Sequence, residues 1–149
     1  MKIRALDKIE KIIIHTSDSS YGSTSVITKW HLENGWDTIG YNYVILNGFT
    51  NDSNHYIDDA DGMLELGRSL NYVGAHCKGH NTDSIGICLI GKDGEFTDNQ
   101  YRSLIELIAR LKIRFEGIEV YFHSDFDSNK PNCPNITAQD IIYKLSEIK

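Results

Sequence analysis

The run His123-Ser-Asp-Phe-Asp-Ser-Asn-Lys130-Pro-Asn-Cys133-Pro134 places an imidazole, an amine and a thiol on one short loop stiffened by proline, directly after a strand-like apolar stretch. Neutral imidazole and thiolate together suit zinc, which accepts nitrogen and sulfur in one tetrahedral shell. One His and one Cys leave that shell open, so a further ligand has to come from elsewhere. The best donor is His15, which ends the run Lys11-Ile-Ile-Ile-His15 where apolar residues give way to polar ones. A ligand at a strand end is held by the sheet yet faces the rim, where substrate can reach it. His15, His123 and Cys133 would leave one tetrahedral position for water, the catalytic rather than the structural arrangement. The spacing is not that of a compact zinc finger, and His76 with Cys77 forms a rival pair. Adjacent residues on a strand point to opposite faces, which makes joint ligation by that pair awkward. A fourth protein ligand drawn from either of them would close the shell and make the zinc structural.

The elements that must position these groups are legible in outline. Lys11 to His15 reads as a buried strand, followed by a helix from about Ser25 to Asn34 that Gly35 stops. Tyr41 to Leu46 alternates as a second strand. Asn47 to Asp61 is rich in Asn, Asp and Gly and reads as a long excursion, a decorated edge hairpin that can also wall a groove, before Met63-Leu-Glu-Leu66 rejoins the sheet. Ser84 to Ile90 is a central strand. Thr97-Asp-Asn-Gln100 is a capping box, and Tyr101, Leu104, Ile105, Ile108, Leu111 and Phe115 then recur at helical spacing. Ile118 to Phe122 delivers His123, and Thr137 caps a last helix with Ile136 stapled onto Ile141. The expected fold is α/β, a single domain with a mixed central sheet flanked by about three helices.

The blocks Ile14-His15-Thr-Ser, Trp30-His31, Gly35-Trp36, Ile39-Gly40-Tyr41-Asn-Tyr-Val-Ile, Gly67-Arg68, Val73-Gly74-Ala-His76-Cys-Lys-Gly79 and Asn81-Thr-Asp-Ser84-Ile-Gly86-Ile-Cys-Leu-Ile-Gly91 precede His123 to Pro134 in order. In that order they resemble the zinc-dependent N-acetylmuramoyl-L-alanine amidases, the group of amidase-type phage lysozymes and peptidoglycan recognition proteins. The resemblance covers roughly residues 10 to 145. It implies zinc on His15, His123 and Cys133, with Tyr41 and Lys130 assisting catalysis. Lys130 departs from the pattern: it stands three residues before Cys133, whereas close phage relatives place the lysine two before, at the position of Asn132. The His-to-Cys loop is also about two residues longer, and residues 47–61 are an insertion of about a dozen, both judged against the resemblance. His76 lies in a block that the family runs along the substrate groove, so it either contacts substrate or hydrogen-bonds a ligand from behind. His31 reads as a packing residue with a surface hydrogen bond, and His80 as exposed.

The implied reaction is hydrolysis of the amide between N-acetylmuramic acid and L-alanine, with peptidoglycan or a muropeptide as partner. A groove that binds wall fragments without cutting them is the alternative, and the presence of Cys133 argues against it. With 149 residues the chain fits one domain, 1–149. A net charge of −6 and the absence of a basic run exclude non-specific nucleic-acid binding. Met1 to Glu10 shows no distinctive arm for the RNA polymerase contact that some phage lysozymes make. Three cysteines without repeated spacing do not suggest a disulfide framework, and Cys88 reads as a core residue. No stretch has the length of a membrane span and the N-terminus lacks a signal-peptide core. A cytoplasmic product acting on wall after release or lysis, as a phage or prophage endolysin does, is the expected setting.

Overall fold

The computed structural model describes residues 1–148. A five-stranded sheet in the order β3-β2-β4-β1-β5 is built from β1 (Lys11–Thr16), β2 (Tyr43–Phe49), β3 (Tyr56–Leu66), β4 (Ser84–Leu89) and β5 (Glu119–Phe122). The helices are α1 (Thr24–Glu33), α2 (Asp98–Arg114) and α3 (Ala138–Glu147). β2, β4, β1 and β5 run parallel to one another, and only β3 is antiparallel, on β2. This is the expected mixed sheet with three α-helices. Among the described residues no helix is long and apolar enough to cross a membrane.

Parallel strands covered on both faces need apolar residues at successive positions, which is why Lys11-Ile-Ile-Ile and Ile85-Gly-Ile-Cys-Leu read as unbroken apolar runs. Their side chains nevertheless alternate. Ile12, Ile14, Ile85, Ile87 and Leu89 pack with Tyr101, Leu104, Ile108 and Leu111 of α2, while Cys88 and Ile90 pack with Ile27 of α1 and Val44 of β2. Ile136 and Ile141 both join the α2-side core, as the staple requires. The two faces therefore carry different duties: α2 seals one, and the chemistry-bearing residues lie on the other.

Two boundaries differ from the sequence reading in ways that matter. Tyr41 and Asn42 precede β2 rather than belonging to it. Asn42 is 2% exposed and mimics a strand residue with its side chain: its Oδ1 accepts from Gly86 N–H at 2.9 Å while its own N–H donates to Gly86 O at 2.9 Å. The supposed excursion at 47–61 is mostly strand. β2 runs on to Phe49 and β3 begins at Tyr56, so the turn is confined to 50–55. The Asp residues that suggested a loop, Asp58 and Asp59, lie exposed on the sheet edge, where charge deters edge-to-edge pairing. The hairpin docks on α2 rather than on a groove. Asp61 accepts from Thr97 Oγ1 at 2.6 Å and from Asn99 Nδ2 at 3.2 Å, at the helix N-terminus, where a carboxylate is favoured.

The same N-terminus carries the capping box. Thr97 Oγ1 accepts from Gln100 N–H at 3.0 Å and Gln100 Oε1 accepts from Thr97 N–H at 2.9 Å. The Gln100 amide, fully buried, also donates to Ile45 O at 3.0 Å and Ile90 O at 2.8 Å, tying α2 to two strands. On the other face, α1 ends at Asn34 with Gly35 in the left-handed region at φ 85°. His31 Nδ1 accepts from Gly40 N–H at 2.9 Å, and its ring lies 4.4 Å from Trp36 and 5.5 Å from Tyr41 between centroids. This hydrogen bond fixes the residue before Tyr41. Burial, and secondarily the Arg68 guanidinium, lower the His31 pKa to about 4.

Gln100→Leu strips the capping box of its partner and leaves strand carbonyls short of donors. We expect a loss of about 2–4 kcal/mol, read as a lower urea midpoint at unchanged m-value. An unfolded His31 imidazole takes its proton near 6.5 and the folded one near 4, so between those values only the unfolded chain is protonated. The stability this group contributes is complete above about 6.5 and is lost as pH falls toward 4. His31→Asn, whose Oδ1 still accepts from Gly40, should show a shallower fall in urea midpoint across that window than wild type.

Candidate metal and catalytic site

The register of three parallel strands brings the distant histidines together. Ile14 pairs with Phe122 across β1 and β5, so the next residues, His15 and His123, stand side by side. Phe122 packs toward α2, and period-2 alternation sends His123 to the opposite face, the one His15 shares with its register partner Cys88. Their ring centroids lie 4.5 Å apart.

Cys133 reaches the pair through nested turns. Asp127 N–H donates to His123 O at 3.1 Å, Lys130 N–H to Asp127 O at 3.0 Å, and Cys133 N–H to Lys130 O at 3.2 Å. Ser124 N–H then donates to Cys133 O at 3.0 Å, closing the loop on itself. The thiol ends 3.9 Å from His15 Nδ1 and accepts from Thr16 N–H at 3.4 Å. One donor atom each from His15, His123 and Cys133 lies within 4.8 Å of the others, the one such grouping of His, Cys, Asp and Glu among the described residues. Zinc–nitrogen and zinc–sulfur bonds at a tetrahedral angle would put the two donors roughly 3.6 Å apart. His15 and Cys133 therefore need only a small contraction to share a zinc ion, and the residue types of the whole set suit that metal.

Electrostatics favour the ligating forms of the imidazoles. Burial, reinforced by His76 and His123, holds the His15 pKa well below its ordinary value. Burial also lowers His123, opposed by the Asp127 carboxylate, whose Oδ2 is 3.8 Å from His123 Nε2. Both rings are neutral at pH 7. Burial raises the Cys133 thiol, against which the Thr16 N–H and the Lys130 ammonium favour thiolate.

A cleft of about 420 Å³ opens over this group. Tyr41, His123 and Cys133 line it, together with Lys130 and Asn132, so the shifted lysine still faces the same space as the position it would have occupied. The Tyr41 ring centroid is 5.1 Å from that of His15. Burial, and then the Cys88 and Cys133 sulfurs, push its phenol well above the ordinary value, so it is protonated at neutral pH. Asp18 and Asp93, at the cleft wall, carried no recognisable signal in the sequence.

His76 is not among the residues lining the cleft. It is 8% exposed and lies behind His15, its Nδ1 2.9 Å from His15 Nε2 and its Nε2 3.2 Å from Ser84 Oγ. Of its two expected placements, this is the one behind a candidate ligand, His15. Cys77 is buried with its N–H on Asn81 Oδ1 at 2.8 Å, outside the grouping, so the rival pair does not converge. Cys88 is fully buried in the core. His80 is only partly exposed, stacked on Phe126 at 4.0 Å between centroids, because the loop after β5 folds over it. Asp127 was missed, although its place four residues after His123 on a turn was a readable cue.

Known proteins share this architecture and sequence. The family model described as N-acetylmuramoyl-L-alanine amidase matches residues 5–136. The endolysin of Enterobacteria phage T3 is 35% identical over 126 residues, covering 78% of this chain and 75% of its own. The endolysin of Escherichia phage T7 is 31% identical over 135 residues, covering 84% and 81%. The solved N-acetylmuramoyl-L-alanine amidase LysC from Clostridium intestinale superposes with a TM-score of 0.76 at 26% identity, over 95% of this chain and 89% of that one. With most of its length matched by the family model, and with relatives of this identity, the chain belongs to the N-acetylmuramoyl-L-alanine amidase family.

Proposed function

We propose that this amidase holds one zinc ion on His15, His123 and Cys133 and cleaves the amide between N-acetylmuramic acid and L-alanine in peptidoglycan, as a phage endolysin. The observation that carries the zinc assignment is the convergence of two histidines and a cysteine from the two ends of the chain, beside an open cleft that His123 and Cys133 line. Two neutral imidazoles and one thiolate would leave a bound Zn²⁺ with net positive charge. When bound, the metal supplies Lewis acidity toward water and the scissile carbonyl.

The chain's own groups supply the rest. Hydrolysis adds water to the carbonyl carbon, builds negative charge on its oxygen, and breaks the carbon–nitrogen bond as the amine takes up a proton. The Lys130 ammonium, at the cleft wall, is the cation available to the developing oxyanion. Tyr41, protonated and wedged against His15, orients the attacking water and passes a proton toward the departing amine, and a phenol kept neutral by burial is unsuited to act as a free base. Muropeptide enters from the open side, where Asp18, Asp93 and Asn129 offer polar contacts.

Metal analysis and amidase assay on purified muropeptide test this together. Wild type should carry about one zinc per chain, lose stem-peptide release on chelation and regain it with added zinc. Cys133→Ala should stay folded and lose both metal and activity; a variant that keeps both removes Cys133 from the ligand set. A zinc-loaded wild type that binds muropeptide and releases nothing would make the protein a recognition module. For Lys130→Ala we expect kcat to fall roughly 100- to 1000-fold with zinc content unchanged. Tyr41→Phe should lower kcat about 100-fold, again without loss of zinc.

A further inference from the structure

We infer that Ser84, His76 and Gly86 form a positioning unit that fixes His15 in the tautomer whose bare Nδ1 faces the metal position, a role that rests on the zinc reading above. The direction of the protons follows from the chain of contacts. Ser84 Oγ has a single hydrogen, and it donates this to His80 O at 2.6 Å. Toward His76 Nε2, 3.2 Å away, Ser84 can then only accept, so that nitrogen carries the proton. A neutral His76 is thereby left with a bare Nδ1, which accepts from His15 Nε2–H at 2.9 Å. His15 Nδ1 is left as a lone pair directed at the side where Cys133 Sγ lies, 3.9 Å off.

The surroundings are shaped to hold the His76 ring in that place. A Cβ on Gly86 would stand 2.6 Å from His76 Cγ and 2.9 Å from Nδ1, and one on Gly74 would stand 2.8 Å from Cδ2. Neither glycine has the left-handed backbone that would itself demand glycine, so the close approach of the imidazole accounts for both. Gly86 pairs with Ile13 on β1, two residues before His15, which sets the ring directly behind the ligand. The His76 and Cys77 N–H groups both donate to Asn81 Oδ1, at 2.9 and 2.8 Å. The buried Arg4 guanidinium clasps the far side through Asn81 O at 2.9 Å and Ser84 O at 2.7 Å. The unit thus has a fixed floor and a fixed outer anchor. Holding a ligand in one tautomer removes the cost of selecting it when metal binds.

The test reads the tautomer in metal-free protein and the zinc affinity separately. Ring ¹⁵N correlations of wild type should show His15 protonated at Nε2. His76→Asn keeps an acceptor where Nδ1 stood and should preserve that tautomer and most of the affinity. His76→Leu should give mixed His15 tautomers and zinc binding weaker by about 10- to 100-fold in a chelator competition. Gly86→Ala, which displaces the ring, should follow His76→Leu. Should the Leu variant fail to fold, Ser84→Ala, which removes the outer acceptor of His76 together with the hydroxyl's bond to His80 O, carries the comparison through a smaller shift in the same direction. The inference is overturned by a wild-type His15 protonated at Nδ1, or by a folded His76→Leu with wild-type zinc affinity. An Asn variant as weak as the Leu one overturns it too. A wild type with the stated tautomer that binds no zinc leaves the hydrogen-bond unit standing and defeats the metal assignment instead.

Discussion

The parallel register of β4, β1 and β5 is the constraint on which the rest of this molecule depends. Because Ile14 is opposite Phe122, the residues that follow them emerge side by side at the carboxyl ends of their strands. Two histidines 108 positions apart in the chain become neighbours without any loop having to place them. Slipping that register by one residue would turn one imidazole into the α2 core and the other toward the cleft. Val120 and Phe122 pack against the α2 core and would exchange faces with Glu119 and Tyr121 if β5 slipped, while β1 is pinned to the fully buried β4 by six ladder pairs, so such a slip is costly. The rigidity that catalysis asks of a ligand set is thus a by-product of core packing.

Division of labour between the two faces of the sheet follows from the same alternation. The α2 face is packed with aliphatic and aromatic side chains and one fully bonded amide, Gln100. The α1 face is thinner. There His15, His76 and Tyr41 replace aliphatic residues, and each is held by a neighbour that satisfies it or stacks on it. Burying this many polar rings costs solvation, and the protein limits the cost by keeping the imidazoles neutral. That state is also the one in which a ring nitrogen can bind a metal ion, so stability and ligation ask for the same protonation.

The hairpin of β2 and β3 shows how composition can mislead. Asn, Asp and Gly between 47 and 61 are turn formers by propensity, yet Asn47 and Gly48 lie in β2 and Asp58, Asp59 and Asp61 in the edge strand β3, whose outer rim pairs with no strand among the described residues. Acidic side chains are compatible with such an edge, and Asp61 is turned to use at the N-terminus of α2. The segment braces the fold instead of bordering the cleft.

From sequence alone the order of elements was legible, because apolar runs, the Thr97–Gln100 capping box and the helical spacing from Tyr101 to Leu111 are local signals. The members of the His15, His123 and Cys133 grouping were legible as candidates too: His15 ends an apolar run, and His123 and Cys133 share a loop. The mode of support was not. Which of its two expected placements His76 takes, that Gly86 exists to admit an imidazole, that Asn42 completes the ladder of β4, and that Lys130 still faces the cleft after its shift all depend on distances between segments remote in the chain. Propensity and periodicity act over a few residues, whereas a hydrogen bond between rings 61 positions apart exists only once the register has been chosen. Local chemistry nominated the groups; packing across the sheet decided which of their nitrogens would face the cleft.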